Sequence, residues 1–246
     1  MVKYLDAELY KVRHRAYLFG FLAVILGGIT ALFALVKLEG SLNVVVDDMV
    51  NILRMALIAG LYLVVAICDM VFSDQYKFNT LKNEVSYGLP RMRIYFGKLI
   101  SAAIMCEILC AVIVAYYLLL SLLLFPQGEA LSEVLKGAGE QLLQALPLWF
   151  GGLGLFQALL FTTKGSTSAT VIYFLVVGML DSVLDLLSLL LPSMTKLCQT
   201  LTDWLLQTPF AQGPGLDIPH AWLVGMGWLA VSTLVGAFVF QKREIN

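Results

Sequence analysis

Residues 73–98, SDQYKFNTLKNEVSYGLPRMRIYFGK, form a polar and basic segment between two apolar stretches that are each long enough to cross a membrane. Its charged residues are Lys77, Lys82, Arg91, Arg93 and Lys98 against Asp74 and Glu84. Excess positive charge beside hydrophobic spans is typical of loops on the cytoplasmic side of a membrane. The segment therefore predicts a cytoplasmic loop, and it is where we expect the protein to contact a soluble partner.

The composition of the whole chain indicates an integral membrane protein. Hydrophobic residues make up 60% of the sequence, charged residues make up 13%, and the mean hydropathy is +0.86. A water-soluble domain of this length would not stay in solution with so few charges. The net charge of −1 says nothing about partners, because the charges of a membrane protein are separated by membrane side. We expect contact with the lipid bilayer and none with nucleic acid.

Six apolar stretches have the length of about 20 residues that crosses the hydrocarbon as a helix. They cover residues 16–36, 49–72, 99–124, 142–163, 168–191 and 221–240. An even number of spans puts both termini on one side, and most of the 16 lysines and arginines then lie on the cytoplasmic side. We predict an all-α fold with a single membrane domain over residues 1–246.

Residues 1–15 have the pattern of a short amphipathic helix. Its apolar positions are Val2, Leu5, Leu9 and Val12, and its polar side is predicted to hold Lys3, Asp6, Glu8, Lys11 and Arg13. The pattern favours a helix that lies on the cytoplasmic leaflet. A solvated charged helix with incidental apolar residues is the alternative.

Ionisable residues within the spans are the candidates for chemistry inside the membrane, since each costs several kcal/mol unless it is paired, hydrated or near an interface. Asp69 lies close enough to the inner end of its span for headgroup water to reach it. Glu107 lies near the bilayer centre and must be protonated, paired or facing a wet cavity. Arg54 and Asp185 lie at similar depth, with Asp181 one turn deeper than Asp185.

We hypothesise that Arg54 pairs with Asp185, either within a subunit or across a dimer. The alternative is that Arg54 extends to the outer headgroups while water reaches Asp185. Arg54, Glu107, Asp181 and Asp185 are the candidates for a translocation path or its gate.

Enzyme motifs do not occur in this sequence. Gly97-Lys98 is followed by Leu99, which does not fit a phosphate-binding loop, and the chain has 2 histidines, too few for a histidine cluster. Asp181 and Asp185 share one helix, whereas an aspartyl protease needs two facing elements. The cysteines lack metal-ligand spacing, and Cys198 is expected alone in an outer loop. We expect no catalysis, bound metal or bound cofactor from this chain itself.

From Tyr76 onward, YKFNTLKNEVSYGLPRMRIYFGKLI resembles the loop between the second and third spans of ABC-2 type transporter permeases. That family has an acidic-aromatic pair, a Gly-Thr-hydrophobic-Lys run, an Arg, and then an aromatic, Gly and Lys that open the next span. The matching residues are Phe72, Tyr76, Thr80, Leu81, Lys82, Arg91, Tyr95, Gly97 and Lys98. Gln75 replaces the usual acid, with Asp74 beside it, and Asn79 replaces the usual Gly in a turn that Asn also tolerates.

In such permeases this loop forms a coupling helix that docks into a groove of a separate ATPase subunit. The resemblance therefore implies that residues 73–90 are the docking element, with candidate residues Asp74, Gln75, Tyr76, Lys77, Thr80, Leu81, Lys82, Val85 and Arg91. Phe72, Tyr76 and Val85 are expected to present an apolar anchor face, with lysines at its rim. An interfacial helix that has no partner is the alternative.

The resemblance also implies that ATP and Mg²⁺ are bound by two copies of the partner ATPase. Two permeases, as a homodimer or a close heterodimer, would form the path in a bacterial cytoplasmic membrane, with both termini inside. Short permeases of this kind resemble exporters of lantibiotics and other antimicrobial peptides, so we expect an amphipathic peptide as cargo; a drug or a lipid remains open. The alternatives are a proton-coupled carrier that uses Glu107 and a membrane immunity or scaffold protein.

Overall fold

The computed structural model describes residues 2–39, 44–72, 80–163, 165–211 and 217–242. Within these ranges the chain is helical and contains no strand, which confirms the all-α prediction. The α-helices are α1 (Val2–Arg13), α2 (Ala16–Glu39), α3 (Val46–Ala56), α4 (Gly60–Phe72), α5 (Thr80–Ser86), α6 (Arg91–Leu124), α7 (Leu131–Thr163), α8 (Ser166–Gly178), α9 (Leu180–Leu190), α10 (Thr195–Asp203), α11 (Thr208–Ala211) and α12 (Ile218–Lys242).

Five segments among the described residues are long and apolar enough to cross a membrane: α2, α3 with α4, α6, α7 and α12. The predicted fifth span, 168–191, is instead two helices, α8 and α9, which meet at an angle of 49°. The pair forms a sixth span if it is counted as one. We call the side of the membrane that carries α1, α5 and the start of α6 the α1 side.

Two helices, α6 and α7, begin two or more turns earlier than their apolar stretches predict. The third span was expected to begin at residue 99 and the fourth at 142, but α6 begins at Arg91 and α7 at Leu131. The extra turns of α6 are ordered by packing, since Ile94 and Tyr95 are fully buried. A count of apolar residues finds the part of a helix that lies in hydrocarbon and misses the turns that continue beyond it.

A short 3-10 turn, Leu57–Ala59, joins α3 to α4 within the second span. The indole N–H of Trp149 on α7 donates to the Leu57 carbonyl at 3.2 Å, at the position where the regular helix is interrupted. Gly60 has no side chain to keep the Trp149 ring away, and a Cβ there would collide with that ring. The break in the second span is therefore held against the fourth span.

The centre of the fold is the pair α7 and α12. Three glycines bring the two backbones together: a Cβ on Gly151 would lie 2.8 Å from the Gly225 carbonyl oxygen, and one on Gly236 would lie 2.9 Å from the Cα of Ala158. Small residues allow such close approach between membrane helices. The spans differ in burial, since 72% of the apolar window of α7 is buried against 6% of that of α2.

Helices α9 and α10 pack on each other beyond the bend, on the side away from α1. The thiol of Cys198 is buried there beside Leu184 and Leu205. Cys198 was expected alone in an outer loop; it instead packs against α9, because the apolar side of α10 covers that helix.

Candidate functional site

Helix α1 packs against the start of α6. The ring of Tyr4 lies over Gly97, where a Cβ would collide with it, and Val12 is buried in the core. Gly97 is thus needed as the small residue beneath α1. This contact gives a physical reason for the aromatic-Gly-Lys pattern at the opening of the third span.

The next residue of that pattern, Lys98, makes a buried ion pair with α1. Its Nζ lies 3.1 Å from Oε2 of Glu8, and the two side chains are 0% and 1% exposed. Glu8 was expected on the solvent side of α1 and Lys98 among the exposed basic residues of the loop, and both expectations are wrong. Each charge is compensated by the other, so the pair can be buried where a lone charge could not.

The position of Glu8 in the sequence carried a signal that was missed. Glu8 follows Leu5 by three residues and precedes Val12 by four, so it lies on the apolar side of the helix. A carboxylate on that side requires a cation from a neighbouring element.

The ion pairs continue from α1 to α5. Nζ of Lys11 lies 2.7 Å from Oε1 of Glu8 and 3.5 Å from Oε1 of Glu84. The Tyr4 hydroxyl donates to Oε2 of Glu84 at 3.1 Å. Lys98, Glu8, Lys11 and Glu84 thus form a continuous series of alternating charges, which we call the ion-pair chain, from the third span through α1 to α5.

Burial and charge shift the pKa values of the α1 residues in this chain. Burial alone would raise the pKa of Glu8, but the attraction of Lys98 and the hydrogen bond from Lys11 bring it below its ordinary value. Burial would lower the pKa of Lys11, but the two glutamates raise it. The pKa of Tyr4 is raised, first by burial and then by Glu8 and Glu84. The charged forms of Glu8 and Lys11 are therefore both favoured in the folded protein.

Helix α1 is also connected to the first two spans. It ends at Arg13, and α2 begins only three residues later at Ala16. Nη1 of Arg15 donates to the Met70 carbonyl, near the end of α4, at 2.9 Å. A displacement of α1 would therefore act on the ends of three membrane spans.

Helix α5 carries the described part of the predicted docking element. Leu81 is 2% exposed and Val85 packs against the core. Phe72, at the end of α4, is also buried, so the expectation that it belongs to an exposed anchor face is wrong. Leu81 and Val85 lie on the inner side of α5 and attach it to the protein, and the docking role of the partly buried Val85 stays a prediction.

The outward face of α5 is polar and ends in an aromatic residue. Lys82, Asn83 and Ser86 are exposed, and Tyr87 is 87% exposed. Gly88, with φ of 84°, adopts the left-handed conformation that ends the helix after Tyr87. Tyr87 was not among the predicted docking residues. The predicted residues Asp74, Gln75, Tyr76 and Lys77 lie outside the described residues, and Thr80 lies exposed at the start of α5.

Arg91, another predicted docking residue, contacts the last span. Its Nη1 donates to the carbonyl oxygens of Phe240 at 3.1 Å and Gln241 at 2.7 Å. A cation is favourable at the carboxyl end of a helix, because the last carbonyl groups there have no hydrogen-bond donor within the helix. Arg91 therefore joins the start of α6 to the end of α12, and its docking role stays a prediction.

The candidate path residues lie apart from one another in the subunit. Arg54 donates to Oε1 of Gln141 at 3.2 Å and to Oδ1 of Asn51 at 2.8 Å. Asp185 is exposed on α9, and Asp181 accepts hydrogen bonds from Ser182 beside it. The Arg54–Asp185 pair does not form within the subunit, because an amide from α7 takes the place predicted for the carboxylate. A pair across a dimer stays a prediction.

Glu107 lies on the outward face of α6, and Asp69 lies at the α1 side. Within the described part of the chain Glu107 has no hydrogen-bond or ion-pair partner. Asp69 accepts a hydrogen bond of 2.5 Å from Ser166, at the start of α8. Neither carboxylate is close to Arg54.

An apolar cavity of about 330 Å³ lies between α2, the second span and α6, with the Trp149 ring as part of its wall. Leu32, Ala56, Leu63 and Ile113 are among its lining residues, and Glu107 is not. The cavity can hold an apolar group and offers nothing to an ion.

Comparison with known proteins identifies the family. A family model described as ABC-2 family transporter protein matches residues 4–181, which include α1, the ion-pair chain and α5. No curated protein matches the chain. Since the match covers more than half of the sequence, the chain belongs to the ABC-2 family of transporter proteins and is a multi-pass membrane subunit of an ABC transporter.

Proposed function

We propose that this chain is the permease of an ATP-driven exporter and that a separate ATPase subunit docks on the outward face of α5. The observation that carries the proposal is the two-sided character of α5. Leu81 and Val85 hold its inner side to the protein, whereas Lys82 and Tyr87 project from the outer side. An exposed tyrosine beside charged and polar residues is typical of an interface anchor with a polar rim.

The α1 side is the cytoplasmic side in this proposal, in agreement with the basic residues of the loop. ATP and Mg²⁺ are bound by two copies of the ATPase, one for each of two permeases in the bacterial cytoplasmic membrane. The free energy of ATP binding drives transport through a difference in the affinity of α5 for the two states of the ATPase. A binding partner can shift a conformational equilibrium only by such a difference in affinity. Closure of the ATPases would displace α5 and alter the path between the permeases.

An amphipathic peptide is the cargo that we propose. The apolar cavity supports a cargo with an apolar face. Glu107 does not line that cavity, which favours an ATP-driven permease over a carrier that moves protons through Glu107. A path for the polar side of the peptide would lie between two subunits, because the described candidate residues Arg54, Glu107 and Asp185 lie apart from one another in the single subunit.

The proposal is tested by co-purification. The tagged chain is expressed together with an ABC ATPase subunit from the same organism, and the ATPase recovered per permease is measured with wild type, Tyr87→Ala and Lys82→Glu. We expect Tyr87→Ala to weaken binding at least about tenfold, because it removes a central aromatic anchor. Lys82→Glu should weaken binding less and make it less sensitive to salt.

Lys136→Glu is the matched control. Lys136 is also a highly exposed helical lysine, but it lies at the start of α7 on the opposite side of the membrane. The control should bind the ATPase like wild type. Equal recovery with Tyr87→Ala, Lys82→Glu and the control would contradict docking on α5.

A further inference from the structure

The apolar cavity lies at the depth of the hydrocarbon. Its lining residues on α2 run from Phe21 to Leu32 and those on α6 run from Cys106 to Tyr117, so they come from the middle of both spans. The rise of an α-helix gives this stretch a length of about 16 Å along α2. A lipid contributes its acyl chains at this depth, and its headgroup lies outside.

The polar side chains in the wall of the cavity already have partners. The Tyr117 hydroxyl donates to the Met49 carbonyl at 2.8 Å, and the Trp149 indole N–H donates to the Leu57 carbonyl at 3.2 Å. The other lining residues are apolar residues, glycines and two cysteines. A water molecule is held in a cavity only by several polar partners, so this cavity does not suit water. An empty cavity would forfeit the dispersion contacts of its wall.

The cavity opens to the side, between α2 and the second span. Leu32 and Ile52 line it and are 41% and 42% exposed, and Ala56 beside them is exposed as well. Near its outer end Phe33 of α2 packs on Tyr117 of α6, with ring centroids 4.9 Å apart, so these two helices are in contact there. Since only 6% of the apolar window of α2 is buried, the opening faces the bilayer.

Small residues create the space. A Cβ on Gly28 would meet no atom within 4 Å, and Ala59 and Gly60 line the cavity at the interruption of the second span. A molecule in the cavity would therefore contact both the 3-10 turn and the Trp149 ring.

We propose that one acyl chain of a membrane lipid occupies this cavity. The volume of about 330 Å³ accommodates roughly ten methylene groups, if each takes about the space of a water molecule, ~30 Å³. The exposed lining residues Leu32 and Ile52 lie in the halves of their spans away from α1, so the chain comes from the leaflet opposite the α1 side. The site goes beyond the proposed function, and a cargo peptide that uses the cavity must displace the chain.

Quenching of Trp149 fluorescence by brominated lipid tests the site. Trp204, Trp222 and Trp228 are replaced by phenylalanine, which leaves Trp149 as the single tryptophan. The full chain is reconstituted in vesicles of dioleoylphosphatidylcholine or of the same lipid with bromine added at its mid-chain double bonds. Trp149 is 5% exposed, so lipid contacts its ring through the cavity. Because bromine quenches a ring that it contacts, we expect the brominated lipid to lower the fluorescence to roughly half or less.

Gly28→Phe fills the cavity from α2, and Gly27→Phe is its matched control. Both glycines have open space at the position of a Cβ, but Gly27 does not line the cavity. We expect Gly28→Phe to abolish most of the quenching and Gly27→Phe to leave it unchanged. Ala56→Phe fills the cavity from the second span and should act like Gly28→Phe. Its control is Met55→Phe, at an exposed neighbour outside the lining. All variants should elute from gel filtration as the parent does.

Equal fluorescence of Trp149 in the two lipids would overturn the proposal, and it is the result expected if a second copy of the chain covered the opening. Quenching that persists in both Gly28→Phe and Ala56→Phe would also overturn it, as would an equal loss of quenching in Gly27→Phe. The measurement contains no ATPase, so its failure is distinct from a failure of docking in the co-purification.

Discussion

The α7–α12 pair and the contact of α1 with α5 and α6 stabilise the protein by different means. Glycines bring α7 and α12 so close that the backbones touch, and the attraction comes from many van der Waals contacts. Helix α1 is instead joined to α6 and α5 by four charged side chains. The first contact is close backbone packing, whereas the second combines a buried ion pair with a half-exposed one. The comparison separates a fixed frame held by shape from a helix held by charge.

The largest loss of stability is expected when one partner of the buried Glu8–Lys98 ion pair is removed. Glu8→Gln leaves Lys98 buried without a carboxylate and should reduce the free energy of unfolding by about 3–5 kcal/mol. Thermal unfolding in detergent measures this loss. Asp6→Asn, on the exposed side of α1, is the control and should change stability by less than about 0.5 kcal/mol.

The double variant Glu8→Met with Lys98→Met sharpens the same test. Replacing both charges by apolar side chains removes the desolvation cost together with the attraction, so stability should return to within about 1 kcal/mol of wild type. A double variant as unstable as Glu8→Gln would contradict the explanation that an uncompensated Lys98 charge causes the loss.

The second largest loss of stability is expected from a substitution at the contact between α7 and α12. Gly225→Ala puts a methyl group against the Pro147 carbonyl, and the helices must separate to accommodate it. We expect a loss of about 3 kcal/mol, at the upper end of the range for overpacking, because the obstacle is backbone. Gly227→Ala is the control, since its nearest obstacle is the Trp204 ring at 3.8 Å. Equal stability of the two variants would contradict close packing of α7 on α12.

The smallest effect is a dependence on pH. Because the folded-state pKa of Glu8 lies below its ordinary value, its contribution to stability is complete above the ordinary glutamate pKa. The contribution is lost as the pH falls through the lowered value. Wild type should therefore lose stability relative to the Glu8→Met, Lys98→Met variant, which lacks both charges, on acidification below about pH 4. A difference in melting temperature between the two proteins that stays constant down to pH 2 would contradict the assignment.

The sequence predicted the membrane spans better than it predicted the site. Apolar length alone locates residues inside hydrocarbon, and so it found the spans containing α2, α6, α7 and α12. It could not find the bend between α8 and α9, because apolar residues continue through it. It also could not extend α6 back to Arg91, since those turns are polar in composition and become ordered only by packing against α1 and α12.

The partners of charged residues could not be read from the sequence for a similar reason. Glu8 and Lys98 are 90 residues apart, and each looks like a surface charge until the two helices are brought together. The sequence predicted an ion pair between Arg54 and Asp185, because the two residues lie at similar depth. In the structure Arg54 instead donates a hydrogen bond to Gln141 on α7. The motif residues Gly97 and Lys98 were recognised by resemblance alone, and the structure gives their physical role as the platform for α1.

Site-specific photo-crosslinking tests most directly the claim that a soluble ATPase binds α5. A photoreactive amino acid replaces Tyr87 in one protein and Lys136 in another, and each is irradiated in membranes that contain the co-expressed ATPase. The account predicts a permease–ATPase adduct from position 87, at the exposed end of α5, and none from position 136. An adduct from position 136, or no adduct from position 87 under conditions in which the ATPase co-purifies, would contradict it.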